Sequence, residues 1–231
     1  MLDELREEVC RANLRLVAEG LVFMTWGNVS GIDRAGGRVV IKPSGVPYEG
    51  MAPEHMVVVS LEDGRVVDGG LRPSSDTPTH LELYRALSSI GGIVHTHSLH
   101  ATCWAQARRA IPALGTTHAD FCHGPVPITR PLRDEEIRQD YEANTGRVIV
   151  ETLAGAEAAH VPAILVAEHG PFAWGRSSDD AVTHAAVLEK IAEMAALTVR
   201  LQPHEQPISP TLLDKHFLRK HGPGAYYGQG R

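Results

Sequence analysis

The stretch Gly91-Gly92-Ile93-Val94-His95-Thr96-His97 constrains this chain more than any other. Ile93 and Val94 are β-branched and the two glycines mark a turn before them, so the run reads as a strand. Alternate side chains of a strand share a face, which lets His95 and His97 reach one metal ion from one wall. Alone, a histidine pair is as readily a structural feature as a ligand set. A third histidine, in Ala167-Glu168-His169-Gly170, ends another short apolar strand, Ala163-Ile164-Leu165-Val166. Three imidazoles with an open coordination position are the usual composition of a catalytic zinc site. A structural zinc more often recruits cysteine, and Cys10, Cys103 and Cys122 are scattered with no CxxC pair. They are expected to be buried or semi-buried free thiols in a reducing compartment.

With 231 residues, 43% of them hydrophobic and 22% charged, the chain is long enough to bury one full core. Its net charge of −6 lacks the electrostatic footprint of a nucleic-acid or anionic-membrane partner. The start, Met1-Leu2-Asp3-Glu4-Leu5-Arg6-Glu7-Glu8, is acidic and amphipathic, unlike a targeting leader. No apolar stretch approaches the length of a membrane span. A cytoplasmic location is the expectation.

Leu2, Leu5, Val9, Ala12 and Leu16 recur at helical spacing and predict an amphipathic helix ending near Gly20. Val39-Val40-Ile41, Met56 to Val59 and Val66-Val67 are short strands, with Asp63-Gly64 a hairpin signal. A helix capped by Thr77, with Pro78 in its first turn, runs to about Leu87. Another spans about Ser98 to Arg108. Val148-Ile149-Val150 and Ala163 to Val166 read as further strands. The longest helix covers about Ser178 to Arg200, with Asp179 and Asp180 at its N-terminus, and a last basic helix lies near Thr211 to His221. Strands joined by short turns favour an α/β fold with a mixed, mostly antiparallel sheet under helices over a doubly wound parallel one. Nothing marks a domain boundary.

Three polar, Gly- or Pro-containing segments recur: Thr25 to Ser30, Lys42 to Gly45 and Pro73 to Pro78. Each offers backbone N–H groups and hydroxyls of the kind that bind phosphate, and each is equally compatible with ordinary turn chemistry. Lys42 is either the positive charge of such a site or a solvated lysine. Asp76 reads as a helix cap, a fourth metal ligand or a partner of a metal-bound histidine. Asp120 is an acid/base candidate or a cap, while His100 and His118 are satisfied core or surface histidines. Tyr226-Tyr227, in a Gly-rich tail, carry apolar area that favours docking over free disorder.

Eight segments then follow in order from residue 24 to residue 229: MTWGNVS, IKPSGV, PSSDTPTH, SIGGIVHTHS, GTTHAD, HGPFAWG, TLLDKH and LRKHG-x-x-AYYGQ. Together they resemble the class II aldolase family, and within it the sugar-phosphate 4-epimerases. The resemblance implies one domain over residues 1–231, with helices on both sheet faces, assembled as a C4-symmetric homotetramer with active sites at subunit interfaces. It implies one Zn2+ per subunit on His95, His97 and His169, with Asp76 at the fourth, carboxylate position. Phosphate binding falls on Gly27, Asn28, Ser44, Gly45, Ser74 and Ser75, with Lys42 nearby. Asp120 and Tyr227 match the acid/base pair, and His216 matches a histidine lining the same site. The tail, about residues 222–231, is expected to reach the zinc site of a neighbouring subunit.

The implied substrate is a small sugar phosphate, and the implied reaction interconverts L-ribulose 5-phosphate and D-xylulose 5-phosphate in L-arabinose breakdown. It proceeds by cleavage of the C3–C4 bond, rotation of the aldehyde and re-addition. The nearest rival is a class II aldolase like L-fuculose-1-phosphate aldolase, which carries glutamate where this chain has the shorter Asp76. A dehydratase of a thio-sugar phosphate shares the fold, but its own segments find no match here. Cytoskeletal modules of the same family lack the metal, whereas all three histidines are present in this chain. Glu168 departs from the small polar residue or histidine expected before His169, and Gly230-Arg231 extend the tail.

Overall fold

The computed structural model describes residues 2–153, 156–204, 206–221 and 224–228. A helix α1, Leu2–Ala18, leads into a four-strand meander of β1 (Asn28–Asp33), β2 (Arg38–Ile41), β3 (Val57–Ser60) and β4 (Val66–Asp68). Helix α2, Thr77–Ala86, then crosses to β5, Gly92–His95, which inserts beside β1 rather than β4. Four helices follow: α3 (Leu99–Gln106), α4 (Thr116–Ala119), α5 (Asp134–Arg138) and α6 (Tyr141–Thr152). Strands β6 (Ala163–Val166) and β7 (Gly170–Gly175) complete one seven-stranded sheet of order β4-β3-β2-β1-β5-β7-β6. Helices α7, Ser178–Leu201, and α8, Pro210–His221, close the described chain.

All six strand pairings are antiparallel, and the parallel component of the expected mixed sheet shrinks to one bridge, Ile128 to Leu165. The period-two rule sorts the central strands between two cores. Val94, Leu165 and Ala173 point to one side, under α1, α3 and α7. Ile93, Ile164, Phe172 and Trp174 point to the other, with Leu83 and Tyr84 of α2 and Ile149 of α6. Burial on both faces is why these strands read as continuous apolar runs instead of alternating ones. Asn13, buried within α1, ties that helix to β1: its amide donates to the Val29 carbonyl and accepts from the Val29 N–H, at 3.1 and 2.9 Å.

Four local expectations change. Val148, Ile149 and Val150 lie in α6, not in a strand, because Val148 and Ile149 join Thr145 and Gly146 on a helical face packed against α2. Asp76, not Thr77, is the N-cap of α2, and Thr77 instead donates its hydroxyl to the Ser74 carbonyl at 2.6 Å. Gly92 lies inside β5, where an added Cβ would collide with the Ser177 carbonyl, so the glycine permits close helix–sheet approach. Cys10 and Cys122 are buried free thiols, but Cys103 is exposed. Among the described residues no helix is long and apolar enough to cross a membrane.

Candidate active site

The antiparallel order gathers several strand ends at one edge of the sheet. Asn28 opens β1 directly opposite His95, the last residue of β5, and His95 also pairs with Phe172 of β7. Lys42 follows the end of β2, and His169 immediately precedes β7. These ends form a cleft of about 460 Å³. Its walls include His95, His97, His169 and Asp76, together with Lys42 and Asn28. Gly27, Ser44, Gly45, Ser74 and Ser75 line the same cleft, so all three polar segments meet there. Gly27 has φ +84°, and a Cβ on it would come within 2.8 Å of the Val22 side chain, so glycine is required beside the histidines.

Ligand atoms of His95, His97 and His169 lie within 4.8 Å of one another. His95 Nδ1 bonds the Pro171 carbonyl at 3.0 Å, which fixes that nitrogen as the N–H and leaves Nε2 free to ligate. Its ring stacks on Phe172, with centroids 4.2 Å apart. His95 Nε2 and His97 Nε2 are 3.2 Å apart, close to the roughly 3.3 Å that two nitrogens at zinc–nitrogen distance span in a tetrahedron. Burial, reinforced by the neighbouring imidazoles, lowers the pKa of His97 and takes that of His169 down to about 3. Convergent imidazole nitrogens, with the charged form disfavoured at His97 and His169, fit a divalent cation. Burial alone would raise the Asp76 pKa, but His95, His80 and the Asn28 amide, at 2.7 Å, hold it below the usual carboxylate range. Asn28 Oδ1, on the cleft wall, is buried without a protein partner.

Lys42 is 1% exposed, yet among the described residues its ammonium donates only to the backbone carbonyls of Thr25, Pro43 and Val46, at 3.0 to 3.4 Å. It also sits 4.8 Å from the Tyr48 ring centroid. Burial lowers its pKa to about 8. A buried cation with no acidic partner among the described residues, beside serine hydroxyls and a positive-φ glycine at residue 45, suits an anion.

Asp120 and Tyr227 do not line this cleft. They line a second one, of about 1100 Å³, shared with Ile90, Gly175 and Arg176. Gly92 pairs with Gly175 while His95 pairs with Phe172, so the second cleft lies at the other end of β5 and β7, three residue steps or roughly 10 Å of strand away. There the Asp120 carboxylate accepts from His216 Nδ1 at 3.1 Å and from Arg219 at 3.1 and 2.6 Å. Tyr227, 62% exposed, folds back so that its N–H donates to the Arg219 carbonyl. The expected tail falls partly on residues 222, 223 and 229–231, outside the described residues.

Tyr141 escapes the sequence reading. At the first turn of α6, its hydroxyl lies 3.3 Å from His169 Nδ1, a partner fixing which nitrogen of His169 faces the cleft. No motif marks it, because its position depends on α6 being a helix. Glu168 does not enter the cleft: it adopts φ +65° and pairs with Arg108. His100 bonds Glu189 at 2.8 Å and His118 bonds the Gly124 carbonyl at 2.7 Å, and both lie outside the histidine cluster.

Residues 7–196 match the family model described as the Class II Aldolase and Adducin N-terminal domain. The L-ribulose-5-phosphate 4-epimerases UlaF of Salmonella paratyphi C (strain RKS4594) and of Salmonella choleraesuis (strain SC-B67) are each 58% identical over 228 residues, 99% of this chain and 100% of theirs. Among solved structures, an L-fuculose 1-phosphate aldolase superposes with TM-score 0.78 at 24% identity, over 92% of this chain and 94% of its own. The L-fuculose 1-phosphate aldolase of Glaciozyma antarctica PI12 gives 0.76 at 20% identity, over 96% and 84%. These likenesses speak to the fold, which is the one found here. From the family match over most of its length, together with relatives identical at more than half of their positions, the chain belongs to the class II aldolase family.

Proposed function

We propose that this chain is an L-ribulose-5-phosphate 4-epimerase, interconverting L-ribulose 5-phosphate and D-xylulose 5-phosphate. The observation that carries the reading is the cleft itself, where a three-histidine cluster shares one wall system with a buried ammonium that has no acidic partner among the described residues. Such a cleft is suited to a sugar with metal-chelating oxygens at one end and phosphate at the other. The named relatives, identical at 58% of positions, support the same substrate pair.

The carbon to be inverted bears a hydroxyl and is not adjacent to the ketone, so its hydrogen is too weakly acidic for simple deprotonation. Cleavage and re-formation of the C3–C4 bond solves this. His95, His97 and His169, with Asp76 as a fourth group, would hold Zn2+, which when bound supplies Lewis-acid stabilisation of developing enediolate charge. Lys42 and the groups of Ser44, Gly45, Ser74 and Ser75 hold the phosphate, keeping the aldehyde fragment in place while it turns. Gly27 gives the fragment close access to the backbone, and Asn28 orients the Asp76 carboxylate.

Inversion requires a proton acceptor on one aldehyde face and a donor on the other, and Asp120 and Tyr227 are assigned to these tasks with His216 beside them. One chain keeps them a strand's length from its own histidines. The reading therefore takes all 231 residues as one domain in a cytoplasmic C4 homotetramer, with the Asp120–Tyr227 end and tail of one subunit completing the neighbour's histidine cleft. The deciding experiment incubates the purified protein and Zn2+ with L-ribulose 5-phosphate and identifies the products. D-xylulose 5-phosphate as the main product is expected. Release of dihydroxyacetone and glycolaldehyde phosphate instead would move the chain to the aldolases, and no turnover with full metal loading would overturn both readings.

A further inference from the structure

Asp120 and Tyr227 are 107 positions apart, yet both are gripped by one residue, the arginine of the LRKHG segment. Arg219 lies in the last turn of α8. Its Nε donates to Asp120 Oδ1 at 3.1 Å and an Nη donates to Oδ2 at 2.6 Å, so the guanidinium fork engages both carboxylate oxygens. The same guanidinium sits 4.9 Å from the Tyr227 ring centroid. Its backbone carbonyl, one of those a helix leaves unpaired at its C-terminus, accepts from the N–H groups of Tyr226 and Tyr227 at 3.0 and 3.1 Å. Side chain and main chain of a single residue thus fix the carboxylate, the phenol and the start of the tail.

We propose that Arg219 is the positioning residue that holds Asp120 and Tyr227 in one fixed relation, so that the two groups act as a preassembled pair. The proposal rests on the acid/base roles given to those two residues above. Neighbouring groups share the charge but not the geometry. Lys220 reaches Asp120 Oδ2 at 3.2 Å and lies 4.4 Å from the Tyr227 ring, as a point charge on a flexible stem. His216 contributes one bond to Oδ1, and His221 bonds the Asp120 backbone carbonyl at 2.9 Å. Arg176, Asp180 and His184 line the same cleft. Only a planar fork sets the plane of the carboxylate, and rotating that plane misdirects the proton transfer even when the charge stays.

The test compares wild type with Arg219→Lys, Arg219→Ala, Lys220→Ala, Asp120→Asn and the double variant Arg219→Ala/Asp120→Asn, each checked for Zn2+ content and oligomer mass. Arg219→Lys keeps the charge and is expected to lose at least ~10-fold in kcat with KM within about twofold, a loss confined to the transition state. Lys220→Ala should lose less than Arg219→Lys. If Arg219 works through Asp120, its removal should cost about twofold or less in the Asp120→Asn background. Free guanidinium should restore part of the Arg219→Ala activity.

The Asp120 titration, followed by carboxyl carbon NMR, should move to higher pH in Arg219→Ala, because the cation favouring the ionised form is gone. Wild-type kcat in Arg219→Lys, or an equal loss from Arg219→Ala with and without Asp120, would overturn the proposal. Should Arg219→Ala not fold, the kcat of Arg219→Lys decides alone. If Asp120→Asn and Tyr227→Phe both stay fully active, the acid/base reading fails while a moved titration still upholds the clamp. An unmoved titration in folded Arg219→Ala would sink the clamp itself.

Discussion

An ammonium in water keeps a full shell of hydrogen-bond acceptors, and Lys42 has exchanged that shell for three peptide carbonyls and an aromatic face. Its pKa of about 8 leaves it charged at neutral pH and neutral above. Phosphate binding should therefore weaken as pH rises through about 8, and Lys42→Met should weaken it at neutral pH by roughly 10-fold or more, the scale of losing one charge-assisted bond. Titration calorimetry with inorganic phosphate checks both, and an unchanged affinity in the variant would remove Lys42 from the site. Among the histidines, His95→Ala, His97→Ala and His169→Ala should each lower zinc occupancy by elemental analysis, while His100→Ala and His118→Ala leave it intact. Tyr141→Phe should weaken metal binding by about 10–100-fold through loss of the His169 partner. The histidine cluster was legible because His95 and His97 stand two positions apart at the end of a short apolar run, although β5 itself stops at His95. Tyr141 was not, since it becomes a neighbour of His169 only once α6 packs.

Elements show where local preference yields to packing. Val148-Ile149-Val150 is a β-branched run, and its strand reading is sound locally. Helix α6 wins because Gly146 lets it approach Glu82 and Thr79 of α2 closely and Ile149 enters the core between them. Ile149→Ala should then cost about 2–5 kcal/mol in denaturant unfolding, with a smaller cost for half-buried Val150→Ala. Equal costs at both positions would argue against the helical face. At the turn before β7, Glu168 holds φ +65°, a region glycine occupies freely. Relief of about 1 kcal/mol of backbone strain opposes loss of an exposed ion pair worth about 0–1 kcal/mol. Glu168→Gly should therefore unfold at the same denaturant concentration or slightly higher, with normal metal content. A drop of more than about 2 kcal/mol would show that the Arg108 pair matters more than its exposure suggests.

At the scale of the molecule, strands β5 and β7 run between two clefts, and each chain presents half of the proposed chemistry at either end. Refolding His97→Asn and Tyr227→Phe chains together should recover activity in about a quarter of the sites, because in the proposed head-to-tail ring each site would draw its two halves from different chains. Mixed tetramers confirmed by mass that stay inactive would rule out the shared site. The alternation of strands and helices announced the fold class, and the motif order announced its family. The meeting of Asp120 with Arg219, 99 positions away, was hidden, because nothing in local periodicity says which face of α8 turns toward α4.

The partial desolvation of the histidine cluster, in which His95 is buried, His169 half-buried and His97 exposed, also determines what happens to protons when a cation enters it. An imidazole at its ordinary pKa is mostly protonated at pH 6 and must shed that proton to coordinate. His169, held down to about 3, and His97, lowered by the same burial, are depleted of that proton beforehand, and Asp76 is already ionised. Cation uptake by these three groups at pH 6 should thus exchange few protons with the solvent. Heats of zinc binding measured in two buffers of different ionisation enthalpy should therefore differ by no more than the release of about one proton from the remaining imidazole, and a larger buffer dependence would mean that these three groups are more hydrated than their packing indicates.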